Sequence, residues 1–284
     1  RLANLIRESR TLLILDGLEP LQHSPGPRQG EIENSAVSLL LRELAAKNNG
    51  LCIITSRLAI SEFASFNDGR IKSLHLQQLA NDDGVQLLTA LGVHGDMQEM
   101  HSAVKAYSGH PLCLSLLAGY LCVVHDANIS HFRNLSSLVD IQSFDRHAST
   151  IVGAYLQWFD SSVENSLLNL FGLFDRGIAL TDVKALVRSA SVTGLTEELA
   201  DLSQSEWSYA LKKLEDASLI TTSIRDGFSM IDCHPLVCDF LNEHLSKERP
   251  GIWREGNKMV FEFLQRSAIP NPETMLQLEP LFRA

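Results

Sequence analysis

The sequence has no excess of basic residues and no long hydrophobic run. Of its 284 residues, 24 are Lys or Arg and 34 are Asp or Glu, which gives a formal net charge of −10. Broad, sequence-independent binding to nucleic acid requires a basic surface, so this charge disfavours it. The longest apolar stretch, residues 111–124, is shorter than the roughly 20 residues that span a bilayer. It predicts a buried helix, and no association with a membrane is expected.

Paired cysteines and metal-binding histidine patterns are also missing. The five cysteines are an odd number and form no C-x-x-C pair, which is typical of reduced thiols in a cytosolic protein. The histidines show no metal-ligand spacing, and no Ser/His/Asp or Cys/His set stands out. The chain begins at Arg1 without a signal-like segment, and we expect it to be part of a longer cytoplasmic protein. Hydrophobic residues make up 45%, so the chain can bury sizeable cores.

Residues 1–80 show the alternation of predicted strands and a helix that is typical of an α/β layer. The apolar runs at 11–16 and 51–55 have the length and flanks of strands that are buried on both faces of a parallel sheet. Between them, the apolar residues over 37–44 lie on one helical face. A third short run at 74–76 predicts a further strand. We therefore expect the C-terminal part of a parallel-sheet α/β domain here.

From residue 81 onward the apolar residues follow a helical period, so the predicted fold class is α/β followed by all-α. Residues 81–150 predict a small helical domain, and residues 151–248 predict three helices and a β-hairpin, which is the outline of a winged helix. Polar side chains at 81–83 and 181–182 are candidate helix caps. Residues 249–284 predict the start of a helical repeat array.

Two strand ends carry the first candidate site residues. Asp16 ends the first strand and is followed by Glu19, while Thr55 and Arg57 follow the second strand. Ligands of α/β sheets bind at the carboxyl ends of strands, where an Asp can hold hydrated Mg²⁺ and an Arg can contact a phosphate. Taken singly, the Asp is also typical of a structural turn and the Arg of a surface salt bridge. Together, they predict one polar edge of the sheet.

Two helix starts carry the other candidates. Gly109 and Pro111 precede the apolar helix, and a loop of this type can pack flat against a purine, although Pro is also common at an ordinary helix start. His234 lies after the predicted hairpin and before another helix. Its imidazole can donate to a phosphate, or it can simply cap the helix or pack against it.

The order of these motifs resembles the STAND class of P-loop NTPases, which includes NB-ARC and NACHT proteins. Residues 12–19, Leu-Leu-Ile-Leu-Asp-Gly-Leu-Glu, resemble its Walker B strand, and residues 53–57, Ile-Ile-Thr-Ser-Arg, resemble its sensor-1 strand. Residues 109–112, Gly-His-Pro-Leu, are similar to the G-x-P motif of its helical domain. Residues 234–237, His-Pro-Leu-Val, are similar to the histidine motif of its winged helix. The tail resembles the entry to a TPR-like array of bacterial members.

The resemblance implies a switch that uses ATP, ADP and Mg²⁺ and oligomerises with copies of itself when it is activated. Asp16 and Glu19 are the implied catalytic residues of a slow ATPase, and Asp16 holds Mg²⁺ through water. The implied nucleotide-binding residues are Thr55, Arg57, Gly109, Pro111 and His234. By the same resemblance, the C-terminal array senses a protein or another ligand, and the biology is bacterial signalling or antiviral defence.

One motif of the family is missing from the sequence, and two other functions compete with the switch. No G-x-x-x-x-G-K-[ST] loop occurs, so we expect this phosphate-binding loop upstream of Arg1 and expect the segment alone to be inactive. A hydrolysis-deficient scaffold of the same fold is one alternative. A winged-helix transcription regulator is the other, but residues 151–245 carry six Lys or Arg against fourteen Asp or Glu, a balance of −8 that disfavours contact with DNA.

Overall fold

A computed structural model describes residues 2–23, 26–66, 69–136, 144–160, 162–225 and 227–267. The chain divides into two units, Arg1–Leu76 and Gln77–Ala284. Within the described ranges, no helix combines the length and the apolar character needed to cross a bilayer.

The first unit contains two parallel strands joined through a helix. Helix α1 (Leu2–Glu8) leads into strand β1 (Leu12–Leu15), and helix α2 (Ser35–Ala46) leads into strand β2 (Leu51–Ile54). The strands pair in parallel along their whole length. A parallel pair needs a crossover connection, which α2 supplies after Asn34 has capped its first backbone N–H groups. The two strands and the helix predicted here are confirmed.

The strands are half-buried on one face and exposed on the other. Leu15 and Ile54 pack against a small core that includes Leu41 of α2. The side chains on the opposite face remain 43–59% exposed, and they belong to Leu12, Ile14, Leu51 and Ile53. The prediction of burial on both faces is therefore wrong within the described residues, because only alternate side chains of each strand reach that core.

The third predicted strand is also absent from the described part of the chain. Residues 71–80 have no regular secondary structure, and Leu74 and Leu76 are 72% and 96% exposed. Strand propensity measures how well side chains fit a neighbouring strand or core, and these two leucines have no such surface to pack on.

The second unit begins with a helical part around one fully apolar helix. Its helices are α3 (Asn81–Ala90), α4 (Met97–Ala106), α5 (Pro111–Val124), α6 (Phe132–Ser136) and α7 (Phe144–Trp158). Seven residues of α5 are buried on several of its faces, which confirms the predicted buried helix. The cap predicted at 81–83 is wrong: Ala80 occupies the N-cap position of α3 and makes no side-chain cap bond.

The helical part continues into helices that carry a three-stranded antiparallel sheet. The elements are α8 (Val163–Phe171), β3 (Ile178–Ala179), α9 (Leu180–Ser189), α10 (Gln204–Asp216), β4 (Ile220–Arg225), β5 (Phe228–Cys233), α11 (Pro235–Glu248) and α12 (Pro250–Ser267). The strand order is β3-β5-β4. The predicted hairpin is confirmed as β4 and β5. The cap predicted at 181–182 is wrong, because α9 already begins at Leu180 with Ala179 at its N-cap position.

One hydrophobic core runs through the second unit, from Val85 to Leu264. Helix α7 joins its parts and contains the boundary predicted at residue 150. The Tyr155 hydroxyl of α7 donates to the carbonyl oxygens of Leu116 (3.3 Å) and Ala217 (2.7 Å), and it thereby ties α7 to α5 and to the end of α10. Residues 268–284 of the predicted helical array lie outside the described residues.

Candidate functional site

The first group of site residues lies at the carboxyl ends of β1 and β2. The ladder continues past both strands, because the Thr55 N–H donates to the Leu15 carbonyl and the Leu18 N–H donates to the Thr55 carbonyl, each at 3.0 Å. Between these bonds the chain turns at Gly17, whose φ of +67° is accessible to glycine at little cost. The sheet edge predicted to carry Asp16 and Thr55 together is therefore present.

Thr55 orients the carboxylate of Asp16. Its hydroxyl donates to Asp16 Oδ1 and accepts from the Gly17 N–H at 2.8 Å. The single hydroxyl hydrogen of Thr55 is thus used in the bond to the Asp16 carboxylate, and the hydroxyl oxygen accepts the bond from the Gly17 backbone. Asp16 itself is exposed, so its carboxylate faces solvent from a fixed position.

Glu19 and Arg57 form the second pair at this edge. Glu19 Oε1 accepts from the Arg57 backbone N–H at 2.6 Å and lies 3.8 Å from Arg57 Nε. The Glu19 side chain is 29% exposed, whereas that of Arg57 is 79% exposed. The glutamate therefore fixes the backbone of Arg57, while most of the guanidinium surface is accessible to a ligand.

Gln22, a buried residue, supports this edge of the sheet. Gln22 is 4% exposed, and its amide oxygen accepts from the Ser56 hydroxyl at 2.5 Å while its amide nitrogen donates to the Gly30 carbonyl at 3.1 Å. It thereby joins the segment after β1 to the segment after β2. The motif pattern did not predict Gln22, since its partners are 8 and 34 residues away in sequence.

The donor atoms at this edge fit magnesium better than a metal that needs several protein ligands. The described residues contain no group of three or more His, Cys, Asp or Glu side chains arranged to hold a metal ion. Mg²⁺ keeps several waters and is usually bound through one or two carboxylates together with phosphate oxygens. Asp16 supplies one such carboxylate, held by Thr55 and open to solvent.

The second group of site residues lies at the starts of α5 and α11, in the second unit. Gly109 has a φ of +65°, and a Cβ atom there would lie 2.3 Å from the Leu79 carbonyl oxygen, so only glycine fits. The Gly109 carbonyl accepts from the Leu79 N–H at 2.9 Å. The chain then enters α5 through Pro111 at the first turn, where its missing N–H costs no hydrogen bond.

Both helices begin with the same tripeptide in the same geometry. His110 caps α5 by accepting from the Leu112 N–H at Nδ1, and His234 caps α11 by accepting from the Leu236 N–H at Nδ1, each at 3.2 Å. Proline follows each histidine at the first helical position. An Nδ1 atom that accepts cannot carry a proton, so the proton of each neutral ring is on Nε2, which can donate to a ligand.

His234 lines a groove of the second unit, and His110 is its neighbour. The groove has a volume of about 1200 Å³ and is lined by Leu112 and Ser115 of α5, by His234 and Pro235, and by residues of the β4–β5 hairpin. Burial lowers the pKa of His110, and the neighbouring His234 lowers it further. His110 was not predicted as a site residue, although the occurrence of His-Pro-Leu at both 110–112 and 234–236 is a visible signal.

The His110 cap makes stability depend on pH. Because the folded chain holds the pKa of His110 below its ordinary value of 6.5, the unfolded chain binds the proton first as the pH falls. We expect the free energy of unfolding to decrease as the pH drops below about 6.5. His110→Asn keeps a capping acceptor without a titratable group, so its urea unfolding should show a weaker decrease. Equal pH profiles for the two proteins would contradict this role.

Comparison with known proteins identifies the fold. No protein-family model and no curated protein sequence matches the chain. A solved structure does: the crystal structure of a Signal Transduction ATPase with Numerous Domains (STAND) protein with a tetratricopeptide repeat sensor from Pyrococcus horikoshii matches 99% of this chain with a TM-score of 0.59 and 17% sequence identity. The fold is STAND-like. The chain spans 34% of the length of that protein.

The candidate site residues form two groups, one in each unit of the chain. Asp16, Glu19, Thr55 and Arg57 share one sheet edge in the first unit. Gly109 and Pro111 lie at the start of α5, and His234 caps α11 and lines a groove in the second unit.

Proposed function

We propose that the chain is part of the nucleotide-dependent switch of a STAND-type signalling NTPase, which rests with ADP bound and oligomerises when ATP replaces it. One observation carries the proposal: Thr55 holds Asp16 and Glu19 holds Arg57 on a single edge of a parallel sheet. The carboxyl edge of such a sheet is where α/β proteins bind ligands. The STAND-like fold over 99% of the chain supports the same interpretation.

In the active state of this proposal, the strand-end residues act on ATP. Asp16 holds hydrated Mg²⁺, which stabilises negative charge on the phosphates. Thr55 keeps the Asp16 carboxylate in place, Glu19 orients a water molecule, and Arg57 contacts the terminal phosphate. The complete protein acts as a slow, cytoplasmic ATPase whose hydrolysis resets the switch.

In the resting state of this proposal, residues at the starts of α5 and α11 hold ADP. Gly109 and Pro111 form the flat surface against the adenine, and Nε2–H of His234 donates to the β-phosphate. A nucleotide can move the switch only through a difference in its affinity for the two states. A change from 1:99 to 99:1 requires about 5.5 kcal/mol of such difference, which several charged contacts together can supply.

The charges of α10 argue against the alternative of a winged-helix transcription regulator. Lys212 Nζ lies 2.8 Å from Asp216, and Lys213 Nζ lies 3.0 Å from Glu164, whose side chain is 8% exposed. Lys213 also lies over the Trp158 ring, 4.8 Å from its centroid. Both cations are thus engaged by the protein itself, so this helix offers little to DNA phosphates. A clear mobility shift with DNA at low salt would favour the alternative.

The second alternative is a scaffold of the same fold that has lost hydrolysis. The structure of the strand-end group favours a working site, because Asp16 and Glu19 are both held by hydrogen bonds. Measurement of ATP turnover by the full-length protein separates the two. The proposed partners are further copies of the chain after activation, and a protein or other ligand that the C-terminal array binds.

The role of His234 is tested by the change His234→Asn in the full-length protein. Asparagine retains the helix cap, so the variant removes the imidazole without the cap loss of about 0.5–2 kcal/mol that alanine brings. We expect a larger oligomeric fraction at saturating ADP, measured by mass photometry. His244→Asn on the same helix, where the ring stacks on Phe240 instead, is the matched control. A His234→Asn variant that stays as monomeric as wild type would refute the ADP contact.

A further inference from the structure

Two cysteines flank His234 at the junction between β5 and α11. Cys233 is the last residue of β5 and precedes the His234 cap, and Cys238 lies in the first turns of α11. In helix-cap terms these are the N′ and N4 positions, whose side chains pack against each other in the hydrophobic staple. The fold therefore places the two thiols at positions whose side chains often pack against each other.

The side chains of these cysteines are neighbours. Both line one small void, of about 10 Å³, together with Phe171 and Ile231. This void is at the lower limit for holding a single water molecule, so nothing needs to be expelled for the sulfur atoms to approach each other.

The two thiols differ in their access to solvent. Cys233 also lines the large groove beside His234, and on its other side it donates to the Leu219 carbonyl at 3.4 Å. Cys238 is 9% exposed. A small oxidant in the groove therefore meets Cys233 first, and Cys238 lies behind it as the second thiol. This arrangement lets a sulfenic acid formed on the accessible cysteine condense with the thiol next to it.

We propose that Cys233 and Cys238 are an oxidation site that closes to a disulfide bond when the protein meets hydrogen peroxide. The Cys233 sulfur attacks the peroxide, which breaks the O–O bond and yields a sulfenic acid and one water. The Cys238 sulfur then attacks the sulfenic sulfur, forms the S–S bond and releases a second water. Two thiols lose two electrons in total, and one peroxide gains them.

The reaction is slow at neutral pH. The neighbouring Cys238 and burial raise the pKa of the Cys233 thiol, so little of it is thiolate, which is the reactive form. The pair therefore responds to sustained oxidation and not to brief exposure. Disulfides of cytosolic proteins are usually transient and redox-sensing, which agrees with such behaviour.

The bond closes a short loop that contains His234. Cys233 and Cys238 then tie β5 to α11 on both sides of the cap, so that the histidine cannot leave its position without breaking the bond. This consequence rests on the proposed function: if His234 holds ADP in the resting state, the oxidised protein is held in that state and oligomerises less with ATP.

The experiment oxidises the reduced full-length protein with hydrogen peroxide, without nucleotide, and then alkylates the remaining thiols. Both cysteines lie in one tryptic peptide, residues 226–247. We expect this peptide to appear without alkyl groups and lighter by two hydrogen atoms, and to return to the doubly alkylated form after reduction. Cys238→Ser should instead leave Cys233 as a sulfenic acid that reacts with dimedone. Cys122→Ser, which removes an exposed thiol elsewhere in this unit, should leave the linked peptide unchanged.

Two results would overturn the inference. The first is a 226–247 peptide from wild type that remains doubly alkylated after prolonged oxidation. The second is a cross-link from either cysteine to Cys52, Cys113 or Cys122. The regulatory consequence is read separately, from the oligomeric fraction with ATP before and after oxidation: a bond that forms without lowering this fraction refutes the coupling to the switch and leaves the oxidation site standing.

Discussion

Asp16→Asn in the full-length protein is expected to reduce the rate of ATP hydrolysis by about 10–100-fold, the usual effect of losing a residue that holds a metal through its water shell. Asparagine has nearly the same shape, and its amide oxygen can still accept from Thr55, so the fold is retained. What it lacks is the negative charge that Mg²⁺ requires. The measurement is steady-state phosphate release at saturating ATP and Mg²⁺.

Three further variants show whether the effect of Asp16→Asn comes from the site. Glu31→Gln changes an exposed acid of the same unit that pairs with Arg28 at 2.8 Å, and exposed pairs of this kind contribute little, so hydrolysis should be unchanged. Thr55→Val removes the hydroxyl that orients Asp16 and should slow hydrolysis, whereas Thr55→Ser should restore it. Equal rates for wild type and Asp16→Asn would exclude Asp16 from the site.

Gly119→Ala is expected to lower the free energy of unfolding by about 3 kcal/mol, the upper end of the usual cost of overpacking. Helix α5 passes so close to the end of α10 that a Cβ atom at residue 119 would lie 2.4 Å from the Ala217 carbonyl oxygen and 2.9 Å from the Tyr155 hydroxyl. The first atom is backbone and cannot rotate away. The added methyl group must therefore separate α5 from its neighbours and disturb the hydrogen bond from Tyr155 to Ala217.

Gly153→Ala is the matched control, because it makes the same change in the neighbouring helix α7. The nearest atom to a Cβ at residue 153 is Cζ of Phe240 at 3.8 Å, which is ordinary contact. Alanine there should raise the free energy of unfolding by about 0.5–1 kcal/mol, because glycine is a poor helix former. Urea unfolding of the two variants measures both. If both variants change the free energy of unfolding in the same direction, the close approach of α5 to the end of α10 does not limit packing.

The parts of the fold that the sequence predicts are those with strong local patterns. The helix α5 is apolar on every face and begins with proline, so its burial follows from hydrophobicity alone. The strands β1 and β2 are short apolar runs that end in polar residues, and their parallel pairing follows from the helix between them. The same local reasoning places Asp16 and Thr55 at one edge, because parallel strands end on the same side.

The parts that the sequence does not predict depend on distant partners. Leu74 and Leu76 have the composition of a strand, yet a strand requires a neighbour to pair with. Several polar residues compete for each helix cap, and α3 and α9 begin after alanine, with no side-chain cap at all. Gln22 acquires its role only through residues on other segments of the folded chain.

We propose that Arg57 contacts ATP in the active state of the switch and that His234 contacts ADP in the resting state. The most direct test is the dissociation constants of ADP and ATP for the full-length wild type, Arg57→Ala and His234→Asn, measured by calorimetry. A charged hydrogen bond contributes about 1.5–3 kcal/mol, so each loss should weaken binding by about tenfold or more. The account predicts that Arg57→Ala weakens ATP and spares ADP, while His234→Asn weakens ADP and spares ATP. Variants that change both affinities equally, or neither, would contradict it.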